Sequence, residues 1–138
     1  FRIYLGDPGL LCAMYGPQLA GPLVEDTLTG PMKGGLYENA VADMLAKSGR
    51  KLRYWMNDKG DREIEFLIDG PGSAIPIEVK AKRGASASLD AMLEESSVEV
   101  GYKLGNVNVG KAGKKVTLPL YMAAFAFAGP ELPGLGRG

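Results

Sequence analysis

Apolar and polar positions along the chain change period several times, and each change marks an element. Leu36, Tyr37, Ala40, Val41, Met44 and Leu45 recur at the spacing of a helix with one buried stripe. Gly34-Gly35 is expected to open that helix and Gly49 to stop it. From Glu63 the period drops to two. Ile64, Phe66 and Ile68 fall on one face of a strand, and Glu63, Glu65 and Leu67 on the other. The turn Asp69-Gly70-Pro71-Gly72-Ser73 leads to a second alternating run, in which Ile75, Ile77 and Val79 oppose Pro76, Glu78 and Lys80. The two runs and their short loop predict a β-hairpin.

The remaining signals are shorter. Arg2–Leu5 reads as a strand, followed by the turn Gly6-Asp7-Pro8-Gly9 and an apolar helix over Leu10–Tyr15. Gly16–Pro31 is rich in glycine and proline and reads as loop with one turn of helix. Lys51–Met56 reads as a strand. Ser88–Ser96 reads as a helix capped by Ser86 or Ser88, and Val98–Leu104 and Val116–Met122 as two later strands. This order predicts one α/β (α+β) domain over residues 1–128, with the Pro/Gly-rich stretch 129–138 as a disordered tail. A chain that opens inside a strand reads as a part of something longer.

Composition narrows the chemistry. The 138 residues are 46% hydrophobic and 23% charged, which suits a globular domain with a single core. There is no histidine, which removes Ser-His-Asp and Cys-His catalysis and imidazole metal ligands together. The single cysteine, Cys12, cannot form an internal disulfide and is expected to be a buried apolar residue among Leu10, Leu11, Ala13 and Met14. A reducing, cytoplasmic setting follows. The longest apolar stretch, Leu118–Ala128, falls short of the ~20 residues of a membrane span, so no membrane partner is expected. Sixteen basic and sixteen acidic residues leave no net charge, whereas a domain that grips DNA unaided is usually basic.

Residues i and i+2 share a face of a strand, so Glu78 and Lys80 project together. Glu65 can lie across from them on the partner strand, where opposed Cβ atoms come within ~4.5–5.5 Å. Glu38 sits at the margin of the helical stripe, within reach of the same polar face. Convergent carboxylates repel, and a hard cation such as Mg²⁺ or Mn²⁺ is their natural counter-charge. With Lys80 alongside, this is a donor set for metal-assisted phosphodiester hydrolysis. The same alternation equally describes the solvated face of a half-exposed sheet.

Three further motifs carry alternatives. Gly105-Asn106-Val107-Asn108-Val109-Gly110-Lys111-Ala112 nearly spells a phosphate loop, but Ala112 replaces the hydroxyl residue and a strand follows instead of a helix. Lys80-Ala81-Lys82-Arg83 and Lys111 with Lys114-Lys115 read as solvated loop ends or as a groove for a nucleic-acid backbone. Tyr54-Trp55 reads as core and sheet-edge packing, and Tyr121–Phe127 as an apolar interface.

Taken in order, Gly35-Leu36-Tyr37-Glu38-Asn39, Tyr54-Trp55, Glu63-Ile64-Glu65-Phe66-Leu67-Ile68 and Pro76-Ile77-Glu78-Val79-Lys80 resemble the C-terminal domain, of unknown function, of a large family of AAA-type ATP-binding proteins. Ile3–Leu11 resembles the segment that opens that domain and Pro119–Ala123 the strand that closes it. The resemblance implies a PD-(D/E)XK restriction-endonuclease-like core, a central mixed sheet flanked by helices. It maps the helix carboxylate onto Glu38, the second-strand acid onto Glu65 and the E-x-K pair onto Glu78 and Lys80. It implies Mg²⁺ or Mn²⁺ held by Glu38, Glu65 and Glu78, with ATP bound only by an N-terminal domain outside this chain. DNA, that ATPase domain and further copies of the chain are the implied partners. The alternative it leaves open is a non-catalytic interaction or oligomerisation module. One departure matters: the second-strand acid is normally Asp, and the extra methylene of Glu65 moves its carboxylate outward while Mg²⁺ demands ligands at ~2.0–2.1 Å.

Overall fold

The computed structural model describes residues 1–82 and 84–134. The long amphipathic stripe forms helix α3, Gly30–Lys47, after two shorter helices, α1 (Pro8–Tyr15) and α2 (Ala20–Val24). Asp7 caps α1, its carboxylate accepting from the Gly9 and Leu10 N–H groups. Proline at the first turn starts α3 four residues before the glycine pair that was expected to open it. Gly34 and Gly35 lie inside the helix. Its end follows the expectation: Gly49 takes φ 74°, with Arg50 N–H bonded to Leu45 O at 3.0 Å and Gly49 N–H to Ala46 O at 2.9 Å.

Six strands follow: β1 Arg53–Met56, β2 Glu63–Asp69, β3 Ala74–Lys80, β4 Gly101–Gly105, β5 Gly110–Ala112 and β6 Lys115–Pro119. Their spatial order is β1-β2-β3-β4-β6-β5. The β1/β2, β2/β3 and β5/β6 pairs are antiparallel, while β3/β4 and β4/β6 are parallel. Helix α4, Ala87–Leu93, joins the parallel neighbours β3 and β4, as a crossover must. The result is a mixed sheet in an α/β domain.

Helices cover both faces. Val41, Ala42 and Leu45 of α3 and Ala123 and Ala126 of α5 (Ala123–Ala126) bury Phe66, Ile68, Ile75, Ile77, Val79, Tyr102 and Leu104. On the opposite face, Leu89 and Met92 of α4 meet Ile64 and Val98, with Trp55 and Leu67 at the margin. Strand β3 therefore runs through the middle of the protein, and five consecutive residues, Ile75–Val79, are buried.

Several expectations need correction. Arg2–Leu5 forms no strand. Its Leu5 backbone pairs with the side chain of Asn39 instead. Gly16–Pro31 holds a 3₁₀ turn and α2. The last strand stops at Pro119, and Leu120–Ala126 turns helical. Cys12 is partly exposed, because α1 buries none of its residues. Residues 129–134 lie against the domain. Leu132 is buried, Pro133 O accepts from the Tyr102 hydroxyl and Gly129 O from Arg50, while 135–138 are outside the described residues. Among the described residues, no helix is long and apolar enough to cross a membrane.

At the end of the β3/β4 pairing Gly105 stands opposite Lys80. A Cβ on Gly105 would stand 2.4 Å from the Lys80 carbonyl oxygen, a distance no real side chain tolerates. Gly105→Ala is therefore expected to push the end of β3 aside and destabilise the fold by about 2 kcal/mol, read as a lower urea midpoint with unchanged slope.

Candidate functional site

The site grows out of a defect in β2. Arg53 pairs with Leu67 but Trp55 pairs with Ile64, so Tyr54 alone faces two residues, Glu65 and Phe66. This is a β-bulge, and it reverses the inward-outward parity of the strand. Ile64 joins the α4 face while Phe66 and Ile68 join the α3 face. The simple alternation that grouped Ile64 with Phe66, and Glu65 with Leu67, is thereby corrected. Glu65 turns with Phe66 into a cleft of about 280 Å³ that it shares with Arg2, Tyr4 and Tyr54.

Glu65 is 5% exposed, and one carboxylate oxygen accepts from the Val79 N–H at 3.1 Å. That bond ties β2 to β3 beside Glu78, which the hairpin register places opposite Glu65 when continued past the Phe66–Ile77 pair. Glu78 is more deeply buried, at 1% exposure. Its Oε1 lies 3.1 Å from Lys80 Nζ, while its Oε2 has no partner among the described residues. Glu38, on α3, borders the adjoining cleft of about 320 Å³ with Arg2, Tyr4, Gly35 and Asn39. It is held at 3.5 Å by Arg2 Nη1.

The electrostatics meet at Lys80. Burial pulls its ammonium down, but the charge and hydrogen bond of Glu78, then the charges of Glu65 and Glu38, outweigh that and raise it. Lys80 therefore stays protonated and serves as a donor and counter-charge, not as a base. Burial raises the Glu38 carboxyl, with Arg2 and Lys80 opposing the shift and Glu63 adding to it. Burial drives Glu65 further, up to about 7, against the lowering effect of its backbone hydrogen bonds and Lys80.

Of the four residues expected from sequence, Glu78 and Lys80 form a direct pair, and Glu65 is bonded to the intervening Val79. Glu38 senses Lys80 but contacts Arg2 instead. Among the described residues, no three Asp, Glu or Cys side chains are gathered tightly enough to hold one ion. The donors do suit a hard cation in kind: all are carboxylate oxygens, and the orphaned, buried Glu78 Oε2 is the sort of atom that seeks one.

Sequence reasoning missed three participants. Arg2 and Tyr4 reach the site because Asn39 holds the Leu5 backbone through both of its amide atoms, at 2.7 and 3.0 Å. A polar residue inside the apolar stripe of α3 was the available signal. Lys103, the β4 partner of Glu78, is buried and donates to Gly84 O. It stands between Tyr102 and Leu104, where an inward apolar alternation already marked its own side as the opposite face. The other basic clusters are engaged structurally: Lys115 pairs with Asp90 at 2.6 Å, Lys114 bonds Glu95 O and Lys111 bonds Gly134 O, while Arg83 is outside the described residues.

Burial of Glu65 has a measurable consequence. A carboxyl at about 7 in the fold, against 4.5 when unfolded, binds its proton more tightly in the native state. Its contribution to stability is complete below 4.5 and is lost as pH rises toward 7. Glu65→Gln keeps an oxygen for the Val79 N–H and removes the titration. The variant is expected to gain on the parent by up to about 3 kcal/mol between pH 4.5 and 8, measured as the difference in urea-unfolding free energies.

No curated protein and no solved structure matched the chain. A family model does match, over residues 33–120, which run from α3 through β6 and include Glu38, Glu65, Glu78 and Lys80. With nearly two thirds of its length covered by that match, the chain belongs to the family described as domain of unknown function DUF4143.

Proposed function

We propose that the domain is a Mg²⁺- or Mn²⁺-dependent phosphodiester hydrolase of PD-(D/E)XK type, acting on DNA as the C-terminal part of an AAA-type ATPase. The observation that carries this reading is the buried Glu78, paired to Lys80 through one oxygen and left with the other unsatisfied among the described residues, next to a second buried carboxylate on the neighbouring strand. A carboxylate removed from water with half its acceptor capacity unused is expensive unless a ligand completes it.

Glu65 and Glu78 would hold the ion, with Glu38 joining from α3. Bound there, it would supply Lewis-acid stabilisation of the charge that builds on a phosphate. Lys80, permanently charged, offers donors to a phosphate oxygen or to an attacking water and steadies negative charge as it develops. The rigid β2/β3 framework fixes these groups relative to one another, which is what positioning requires. The balanced net charge means that DNA affinity would come largely from the attached ATPase or a partner.

A second reading, a non-catalytic interaction module of the ATPase, draws support from a different region. Leu23 and Val24 are exposed at an apolar cavity of about 500 Å³ that Cys12, Ala13 and Leu19 also line. Contiguous apolar surface of this kind is typical of a docking face.

Calorimetric titration with Mn²⁺ at pH 8, together with nicking of supercoiled plasmid, separates the two. The hydrolase reading expects Mn²⁺ binding weakened at least tenfold in Glu78→Gln, and nicking lost in both Glu78→Gln and Lys80→Met. Equal Mn²⁺ affinity in parent and Glu78→Gln, or nicking indifferent to both substitutions, contradicts it.

A further inference from the structure

Residues 1–5 line the two clefts of the site, and their contacts are specific. Arg2 Nη2 lies 2.6 Å from Glu63 Oε2 and Nη1 lies 3.5 Å from Glu38 Oε2. Nη1 also donates to the Tyr4 hydroxyl at 3.4 Å, and the guanidinium stacks over the Tyr54 ring at 5.3 Å. Tyr4 packs on Phe66 with ring centroids 5.5 Å apart, and Asn39 clamps both polar groups of the Leu5 backbone. Arg2 and Tyr4 border the cleft of Glu38 as well as the cleft of Glu65.

From this geometry we propose that residues 1–5 act as a strap over the acidic site, in which the Arg2 guanidinium competes with a divalent cation for Glu38. The inference rests on the hydrolase reading for the identity of the competitor. Its physical basis is charge: Glu38 is partly buried and requires a positive partner, and Arg2 supplies one. A cation coordinated by Glu38 would share its carboxylate with a guanidinium that carries the same sign of charge. The two cations repel at such a distance, so binding of one weakens the other. Displacing Arg2 from Glu38 leaves Glu63, the Tyr54 ring and the Tyr4 hydroxyl as its partners, and the first two lie at an exposed edge, so the guanidinium can shift outward at low cost. Arg2 acts through Glu38 as a positioning residue; it has no place in the chemistry itself.

The test uses the whole chain, with Mn²⁺ as the probe, and two independent readings. Calorimetry compares the parent with Arg2→Met, which keeps the apolar stem over Tyr54, and with Arg2→Lys, which keeps the charge. Hydrogen exchange follows the Leu5 amide, held by Asn39, with and without Mn²⁺. The proposal expects Mn²⁺ to bind Arg2→Met about fivefold more tightly than the parent, Arg2→Lys to restore parental affinity, and Mn²⁺ to speed exchange at Leu5 in the parent. Binding of Mn²⁺ with one affinity to all three proteins, with Leu5 exchange unchanged, overturns the strap and leaves the hydrolase reading standing. Absence of Mn²⁺ binding from all three overturns both. A purely structural Arg2 would lower the melting temperature of Arg2→Met without moving Mn²⁺ affinity, and that result also overturns the strap.

Discussion

Glu78 is a carboxylate placed in the middle strand of a sheet that is covered by helices on both faces, and much of the molecule is arranged around that burial. Transferring a charge out of water costs several kcal/mol unless partners replace the lost solvent. Lys80, two residues on and on the same side of the strand, replaces half of it. The chain can bring Lys80 there only because Gly105 lets β4 approach the Lys80 backbone without a side chain in the way. The Val79 N–H between them is occupied by Glu65, so three successive positions of β3 are committed to one polar cluster.

Around this centre the protein fixes more negative than positive charge. Glu38, Glu65 and Glu78 all act on one ammonium, and burial, with the charge of Glu78 adding to it, raises the Glu65 carboxyl to about 7. Arg2 relieves Glu38 and Glu63 from outside. A cluster so poised has three ways to lower its energy: protonate, recruit a side-chain cation, or recruit a metal. The proposed hydrolase and the proposed strap are two consequences of that single imbalance. Fold alone does not decide among them, since one architecture serves many activities.

The parts of this arrangement that were legible in the sequence are those governed by local periodicity. The α3 stripe, the Gly49 stop and the β2/β3 hairpin follow from spacing of apolar residues, and the Glu78–Lys80 pair follows from strand geometry. The parts that were not legible depend on long-range pairing. Nothing within β2 announces the bulge, because it arises from Tyr54 facing two residues at once. The segment Arg2–Leu5 has the composition of a strand, yet its hydrogen bonds are taken by Asn39, 34 positions away. Strand β5 escaped notice because Gly110-Lys111-Ala112 has no pattern of its own; pairing with β6 makes it a strand. The start of α3 was misplaced because a glycine pair reads as a boundary, whereas Pro31 at the first turn is the stronger physical signal. Cys12 was misjudged for a related reason: apolar neighbours in sequence do not bury a residue when its helix packs too loosely on the domain to bury any of its side chains.

The central claim is that Glu65 and Glu78 form the seat of a divalent cation. A crystal of the whole chain soaked in Mn²⁺ and measured at a wavelength where manganese scatters anomalously tests it directly. The account predicts an anomalous peak against the carboxylates of Glu65 and Glu78, with Lys80 beside it. Manganese found solely on surface carboxylates such as Asp58, Asp61 or Glu99, with the Glu78 pocket free of anomalous density, would contradict it.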